Sequence, residues 1–446
     1  MREGSLEAPT RHAIDWNNPD FYDADLLDAE LRRVFDVCHG CRRCFNLCDS
    51  FPKLFDLIDG SPSEELDTVS SEGFKPVVDA CTLCDMCYMT KCPYVPPHEF
   101  NLDFPHLMLR YRAVEKSNGM DKFAQNQLSK TDRNGTLAKH VAPLANWATD
   151  KDNKLTRGIM EKTLHIHRKA ALPKYHSKTL LNQAQANSLI TNKAAPAYGR
   201  KAVIYATCFG NFNNPDIGLA ARNVLALNGV ETEVVYPGCC GMPLLEQGDL
   251  AAVAENAANV SKELCSWVDR GYDVIALVSS CALMLKSEWP LISPSNKDVE
   301  RLAEATFDVS EYIVDIAKKE GITDGLQPLD GPVSMHLACH ARAQNMGAKG
   351  AEMLRLIPKT RVIVVERCSG HGGSWGIMKD NFDTALKVGK TAAKNALKSG
   401  ASHITSECPL AAEHLMQGIE LQDAEAAKGK TTSHPIELLA KAYGFE

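Results

Sequence analysis

The cysteines constrain this chain more than any other feature. Sixteen occur in 446 residues, and eight of them fall between Cys38 and Cys92. They form two runs, Cys38-x2-Cys41-x2-Cys44-x3-Cys48 and Cys81-x2-Cys84-x2-Cys87-x4-Cys92, the second followed by Pro93. The overall share is far below that of a disulfide scaffold. Clustered thiols in a reducing compartment are more often metal ligands or redox centres than disulfides. Zinc sites come as separated pairs rather than triplets, so zinc is the weaker reading. The residues after each Cys-x2-Cys pair are Arg42, Phe45, Asp85 and Tyr88, never histidine, which excludes covalent haem attachment. Thiol–disulfide exchange would need one such pair, not four overlapping ones.

This double run resembles that of a two-cluster bacterial ferredoxin, in which soft thiolates hold [4Fe-4S] cubes. The resemblance implies that the fourth cysteine of each run ligates the other cube. The sets are then Cys38, Cys41, Cys44 with Cys92, and Cys81, Cys84, Cys87 with Cys48. Two departures stand out: Cys48 reaches a proline only at Pro52, and four residues instead of three precede Cys92. The extra residue is expected to bulge the loop and leave the ligand available. Leu26, Leu27, Leu31, Val34 and Phe35 read as one face of a helix leading into the first run. The stretch from Asp56 to Glu72 reads as a surface connection. Residues 1–115 are therefore expected to form a helical ferredoxin-type domain with two [4Fe-4S] clusters.

A net charge of −7 carries no nucleic-acid footprint. There is no 18-residue apolar run, because Ser279 and Ser280 interrupt Val274 to Leu285, so no transmembrane helix is expected. The opening MREGSLEAPT lacks the apolar core of a secretory signal, and a cytoplasmic location is expected. Residues 116–200 read as a helical and linker segment. Leu107 to Val114 is predicted helical, and Ser188 to Tyr198 reads as linker. The basic stretch from Lys151 to Lys178 reads as a solvated helical face, with a surface for an acidic partner or an anionic membrane as the other reading. His165 and His167, two apart, do not share a helical face and are not read as a metal pair.

Beyond residue 200 the chain repeats itself. Cys208 corresponds to Cys339 at an offset of 131 residues, Cys239 to Cys368 at 129, and Cys281 to Cys408 at 127. Near-constant offsets indicate two copies of one unit, 201–325 and 326–446. Each of these cysteines follows an apolar, β-branched run: 202–206, 232–236 and 273–278 in the first copy, 333–337, 361–366 and 401–405 in the second. Helical patterns lie between them, clearest over Asp249 to Arg270 and Asp380 to Ser399. Strands alternating with helices predict parallel α/β sheets, whose ligand crevice lies beyond the carboxyl ends of the strands. The whole is expected to be an α+β multidomain protein. Gly241 and Gly370 suit a positive φ or a close backbone approach. Cys265, unmatched in the other copy, reads as a packing residue.

A double ferredoxin run followed by two Cys…Cys-Cys-Gly…Cys units resembles a family of iron–sulfur oxidoreductase components. The family includes the iron–sulfur components of anaerobic glycerol-3-phosphate dehydrogenase, heterodisulfide reductase and glycolate oxidase. LPKY at Leu172 to Tyr175, CCGMPL at Cys239 to Leu244 and HPIELLAKAYG at His434 to Gly444 are further similarities to the glycerol-3-phosphate dehydrogenase member. The resemblance implies electron transfer from a flavoprotein dehydrogenase, or another redox protein, towards quinone or another acceptor. It also implies peripheral docking on the cytoplasmic face of the inner membrane.

The same resemblance implies that a complete Cys-Cys-Gly unit binds a cluster. The first unit keeps Cys208, Cys239, Cys240 and Cys281, enough for a third [4Fe-4S] or related group, but it lacks a fifth thiol for a noncubane form. The second unit has Ser369 in place of the second paired cysteine and Ala411 in place of another, leaving Cys339, Cys368 and Cys408. Three readings stay open there: His340 or His371 as a fourth metal ligand, a three-ligand metal centre, or a copy kept for its fold. No G-x-G-x-x-G follows a strand, so a flavin and substrate pocket is expected on a partner. The alternative functions are a thiol–disulfide reductase of the heterodisulfide type, and a stand-alone electron donor or redox sensor in oxidative-stress defence.

Overall fold

A computed structural model of the protein describes residues 7–120 and 123–445. The N-terminal part is built from helices. Asp23 caps the helix Ala24–Cys41 by accepting from the Leu26 amide at 2.8 Å, and the helix buries Leu27, Leu31, Val34 and Phe35. Leu26, expected on that face, is instead half exposed. The helix stops at Arg42, whose φ of 53° breaks the hydrogen-bond ladder and turns the chain into the first cysteine loop. The expected surface connection begins as the end of the helix Ser50–Asp59, and it buries Ile58, Leu66 and Val69. The expected helix around Leu107 is Phe104–Ser117.

Short helices, Phe123–Ser129, Thr131–Ala138, Ala142–Thr149 and Lys154–Thr163, make up the middle segment. The reading of Lys151 to Lys178 as one solvated helical face is corrected here. Only Lys154–Thr163 is helical, and its Arg157 is buried, donating to the carbonyls of His167 at 2.8 Å and Ala170 at 2.7 Å. These bonds pin an irregular strap, in which Ile166 bridges Met378 of the second unit. Buried carbonyls without a regular ladder need such a donor.

Each repeat forms a four-stranded, wholly parallel sheet. The first holds β1 (Lys201–Tyr205), β2 (Glu231–Val235), β3 (Asp273–Ala276) and β4 (Thr306–Asp308), in the order β2-β1-β3-β4. The second holds β5 (Val333–His336), β6 (Val362–Val365), β7 (His403–Ser406) and β8 (Thr431–Ser433), in the order β6-β5-β7-β8. The orders are the same, so the switch point falls between β1 and β3 in one copy and between β5 and β7 in the other. The helices Leu250–Val268 and Phe382–Lys398 stand where the periodicity puts them. Neither β4 nor β8 was expected from the sequence; each is a three-residue edge strand. This is an α+β multidomain fold.

One continuous apolar core runs from the N-terminal helices through the first sheet to part of the second unit. A smaller cluster around Ile404, Ala392 and Leu415 fills the rest of the second unit. The C-terminal helix Pro435–Ala442 crosses to pack on Pro215–Leu227 of the first unit. Among the described residues, no helix is long and apolar enough to cross a membrane.

Candidate functional site

In the first cysteine run, Cys38 and Cys41 lie on the last turns of their helix, and Cys44 and Cys48 lie in the loop beyond. Burial pushes the Cys38 thiol well up, reinforced by the nearby thiols of Cys92, Cys44 and Cys41. Burial does the same to Cys48, whose neighbours are instead Cys84 and Cys81, with the Ser50 and Phe51 amides turned towards its sulfur. The runs are thus crossed: Cys92 faces the first triplet and Cys48 the second. In the second run, Leu83 (φ 47°) and Asp85 (φ 62°) are left-handed, which wraps the backbone around Cys84 and Cys87. The extra residue before Cys92 is absorbed by a wide turn in which the Lys91 and Cys92 amides both reach the Cys87 carbonyl, at 3.3 and 2.8 Å.

A buried charge cluster holds this loop. Arg11 donates to Asp85 at 2.7 Å, Asp103 at 3.0 Å and Glu288 at 3.1 Å, and His106 stands 3.2 Å from Glu288. Burial alone would raise the Glu288 carboxyl, but His106 and Arg11 outweigh it and hold it at about 2. Glu288 belongs to the first repeat, so the cluster ties the ferredoxin-type loop to that unit. Arg112 makes a second tie, donating to the carbonyls of Glu246 and Val78, each at 2.9 Å, and to that of Cys81.

In the first unit the four thiols meet at the switch point. Cys239 and Cys208 are 3.7 Å apart, Cys240 and Cys281 3.3 Å. Gly241, at φ 83°, turns its amide to the Cys239 sulfur at 3.4 Å. The thiols of Cys208 and Cys240, with that amide, hold Cys239 well below the usual thiol range. Asp132, from the middle segment, accepts from the Cys239 amide at 3.0 Å and from the Tyr236 hydroxyl. Trp289 donates to the Cys240 carbonyl at 3.0 Å. The second unit repeats the glycine device: Gly370, at φ 79°, points its amide at the Cys368 sulfur at 3.3 Å. The electrostatic neighbours of Cys339 are Cys84 of the second run, then Cys368 and Cys408, and Cys368 is in turn a neighbour of Cys84. Cys265 is buried on its helix and bonds to the Asp298 carbonyl at 3.2 Å, a packing residue.

The sites share a cavity of about 1110 Å³. Cys48 and Cys84 line it from the ferredoxin-type runs, Cys208, Cys240 and Cys281 from the first unit, and Cys339, Cys368 and Cys408 from the second. Much of the remaining wall is apolar, including Leu128, Met160, Tyr175 and Phe209. Charged side chains reach it too, among them Asp49, Lys91, Arg342, Glu366 and Glu246, whose carboxyl is pushed up to about 7 by burial. The donor sets are all sulfur in the two N-terminal cysteine runs and the first unit, which fits an iron–sulfur group and not a hard cation. Among the described residues, no three His, Cys, Asp or Glu side chains are grouped as for a single metal ion. Sequence reasoning missed Arg11, Arg112, Asp132 and Glu246. Arg11, Arg112 and Asp132 are far in sequence from the cysteines they serve, and no motif marks Glu246 although it follows Cys240 by six residues.

Residues 202–286 and 333–412 each match the cysteine-rich domain family CCG. The chain is 28% identical to one of the subunits of the anaerobic glycerol-3-phosphate dehydrogenase of Escherichia coli (strain K12), over 71% of this chain and 76% of that one. It is 24% identical to one of the subunits of the dihydromethanophenazine:CoB–CoM heterodisulfide reductase of Methanosarcina acetivorans, over 67% and 73%. It is also 25% identical to one of the subunits of the fumarate reductase (CoM/CoB) of Methanothermobacter marburgensis, over 55% and 47%. With both repeats matched and relatives of this kind spanning most of its length, the chain carries two cysteine-rich CCG domains and resembles the iron–sulfur oxidoreductases typified by anaerobic glycerol-3-phosphate dehydrogenase and heterodisulfide reductase.

Proposed function

We propose that the chain is an iron–sulfur electron-transfer subunit that takes electrons from a flavoprotein dehydrogenase and passes them to an apolar acceptor of the quinone class. Cys38, Cys41, Cys44 and Cys92 would hold one [4Fe-4S] cluster; Cys81, Cys84, Cys87 and Cys48 a second; Cys208, Cys239, Cys240 and Cys281 a third. Bound there, such groups supply one-electron storage at thiolate-ligated iron. The observation that carries this reading is one cavity lined by thiols of both the ferredoxin-type runs and the first unit. Arg11 and Arg112 fix the second run against that unit, and the amides at Ser50, Phe51 and Gly241 favour negative charge on sulfur. Glu246, titrating at about 7 in the cavity wall, is placed to hold a proton for an acceptor that takes up protons with its electrons.

The middle segment supports docking on an anionic phospholipid surface. Leu137, Val141, Leu144, Trp147, Leu155 and Ile159 are all at least half exposed along its short helices. Arg133, Lys154 and Lys162 are exposed on the same helices. Apolar and aromatic side chains mixed with cations suit the interface of a bilayer. Leu128, Met160 and Leu164, on or just beyond these helices, also line the cavity, which gives a lipid-borne acceptor a short route inwards. These features support a peripheral position on a membrane surface.

EPR of the reduced full-length chain, compared with Cys240→Ser, tests the electron-transfer reading. The variant should lose one cluster signal, and an unchanged cluster count overturns the third site. Flotation with anionic vesicles tests the docking face: the wild type should float and Leu144→Ser/Trp147→Ser should not. Equal flotation of both, or of neither, contradicts it. Turnover of small disulfides by the isolated chain would move the function to a thiol–disulfide reductase.

A further inference from the structure

The middle segment lies between the N-terminal cysteine runs and the two cysteine-rich units, yet one of its helices reaches the first unit's thiols. That helix, Thr131–Ala138, packs on Cys208–Phe212, the helix that opens with a thiol of the site. Gly135 permits the approach, because a Cβ there would stand 2.3 Å from the Phe212 ring. The Phe212 ring in turn meets Tyr236 edge-on, with centroids 5.5 Å apart. Two adjacent residues at the start of the helix, Thr131 and Asp132, are thereby delivered to the site.

Asp132 accepts from the Cys239 amide at 3.0 Å through one carboxylate oxygen and from the Tyr236 hydroxyl through the other. Neither donor is a cation. A negative charge that its partners do not neutralise therefore stands against the backbone of a thiol-bearing residue. Thr131 brings the opposite influence. Its hydroxyl lies in the cavity wall, is buried without a hydrogen-bond partner, and faces the thiols of Cys208 and Cys239. A buried hydroxyl left unpaired is costly, and it gains a bond when a facing sulfur carries charge.

The reduction potential of thiolate-ligated iron follows the net charge around it and the hydrogen bonds to its sulfurs. Nearby negative charge disfavours an added electron, and a donor turned to sulfur favours it. We propose that Asp132 and Thr131 are positioning residues that act through Cys239 and Cys208 to set the reduction potential of the first unit's site, Asp132 lowering it and Thr131 raising it. Tyr236 tempers the Asp132 charge through its hydroxyl. The middle segment thus governs how readily this site yields its electron. The inference rests on the reading of Cys208, Cys239, Cys240 and Cys281 as iron–sulfur ligands.

An EPR-monitored redox titration of the full chain, purified without oxygen, reads the midpoint of the signal that Cys240→Ser abolishes. Asp132→Asn keeps the shape and removes the charge. It should raise that midpoint by about tenfold in the one-electron equilibrium, which is ~59 mV. Thr131→Val should lower the midpoint, and so should Tyr236→Phe, which leaves the carboxylate untempered. Asp132→Glu, which retains the charge, should stay closer to the wild type than Asp132→Asn does. The signals of the two N-terminal sites should keep their midpoints throughout. An unmoved midpoint in Asp132→Asn or Thr131→Val, a shift of the opposite sign, or an equal shift at all three sites would each overturn the assignment. If Asp132→Asn does not assemble the site, Tyr236→Phe decides, and a wild-type midpoint there overturns it. Failure of the underlying reading looks different: the wild type would then show no signal sensitive to Cys240→Ser.

Discussion

The two cysteine-rich units have the same strand order, the same parallel pairing and the same glycine amide aimed at the first sulfur of the motif, yet they are fastened differently. The first is tied to the ferredoxin-type loops by buried charge, through Arg11, Glu288 and Arg112. The second meets them by close backbone packing at Gly372, where a Cβ would stand 2.6 Å from Thr82, and by the contact from His340 to Leu83. The first keeps four sulfurs; the second has Ser369 where the first has Cys240. A duplicated fold can thus preserve the geometry of a site while its donors and its anchoring diverge.

Breaking the charge anchor should have the largest effect on stability. Arg11→Ala leaves Asp85 and Glu288 buried without their partner, which should cost about 3–5 kcal/mol, read by denaturant unfolding. A loss below about 1 kcal/mol would mean that the ion cluster does not fasten the first unit.

The glycine pair sharpens the comparison next. Both glycines are left-handed, so alanine at either should cost about 1–2 kcal/mol from backbone strain. At Gly241 the nearest atom to a new Cβ is 3.5 Å away, and little more is expected. At Gly370 the Ala385 carbonyl would be struck at 2.0 Å, adding about 1–3 kcal/mol of overpacking. Equal thermal shifts for the two variants would show that the second loop is not held as tightly as the geometry states.

Acid should loosen the first unit's anchor in particular. The Glu288 carboxyl is held at about 2 against an ordinary 4.5. Its contribution is therefore complete above 4.5 and is lost as pH falls towards 2. Thermal melts across that range should show a shallower acid slope for Glu288→Gln; parallel slopes would remove Glu288 from the anchor.

The smallest effect is kinetic. Glu246 binds its proton up to about 7, so acceptor reduction should slow as pH rises through that value. Glu246→Gln should be slower at low pH and lose the inflection. An unchanged profile would place the proton elsewhere.

The cysteine runs, the repeat and six of the eight strands were legible because each is a local pattern: fixed spacing, constant offset, or β-branched runs. The edge strands over Thr306–Asp308 and Thr431–Ser433 were not, because they are three residues long and partly polar, and their pairing to β3 and β7 is set by tertiary position. The strap pinned by Arg157 was misread as a helical face because charge composition does not show which cation is buried. Arg11, 74 residues from Asp85 and 277 from Glu288, illustrates the general limit. The cavity is assembled from four parts of the chain, and only folding reveals which of their side chains share it.

The central claim is that the crossed thiol sets and the first unit's four sulfurs hold iron–sulfur clusters. Iron and acid-labile sulfide analysis of the anaerobically purified full-length chain tests it most directly. Iron and sulfide should be present in near-equal amounts, sufficient for at least three four-iron groups. Zinc in place of iron, with no acid-labile sulfide, would contradict it.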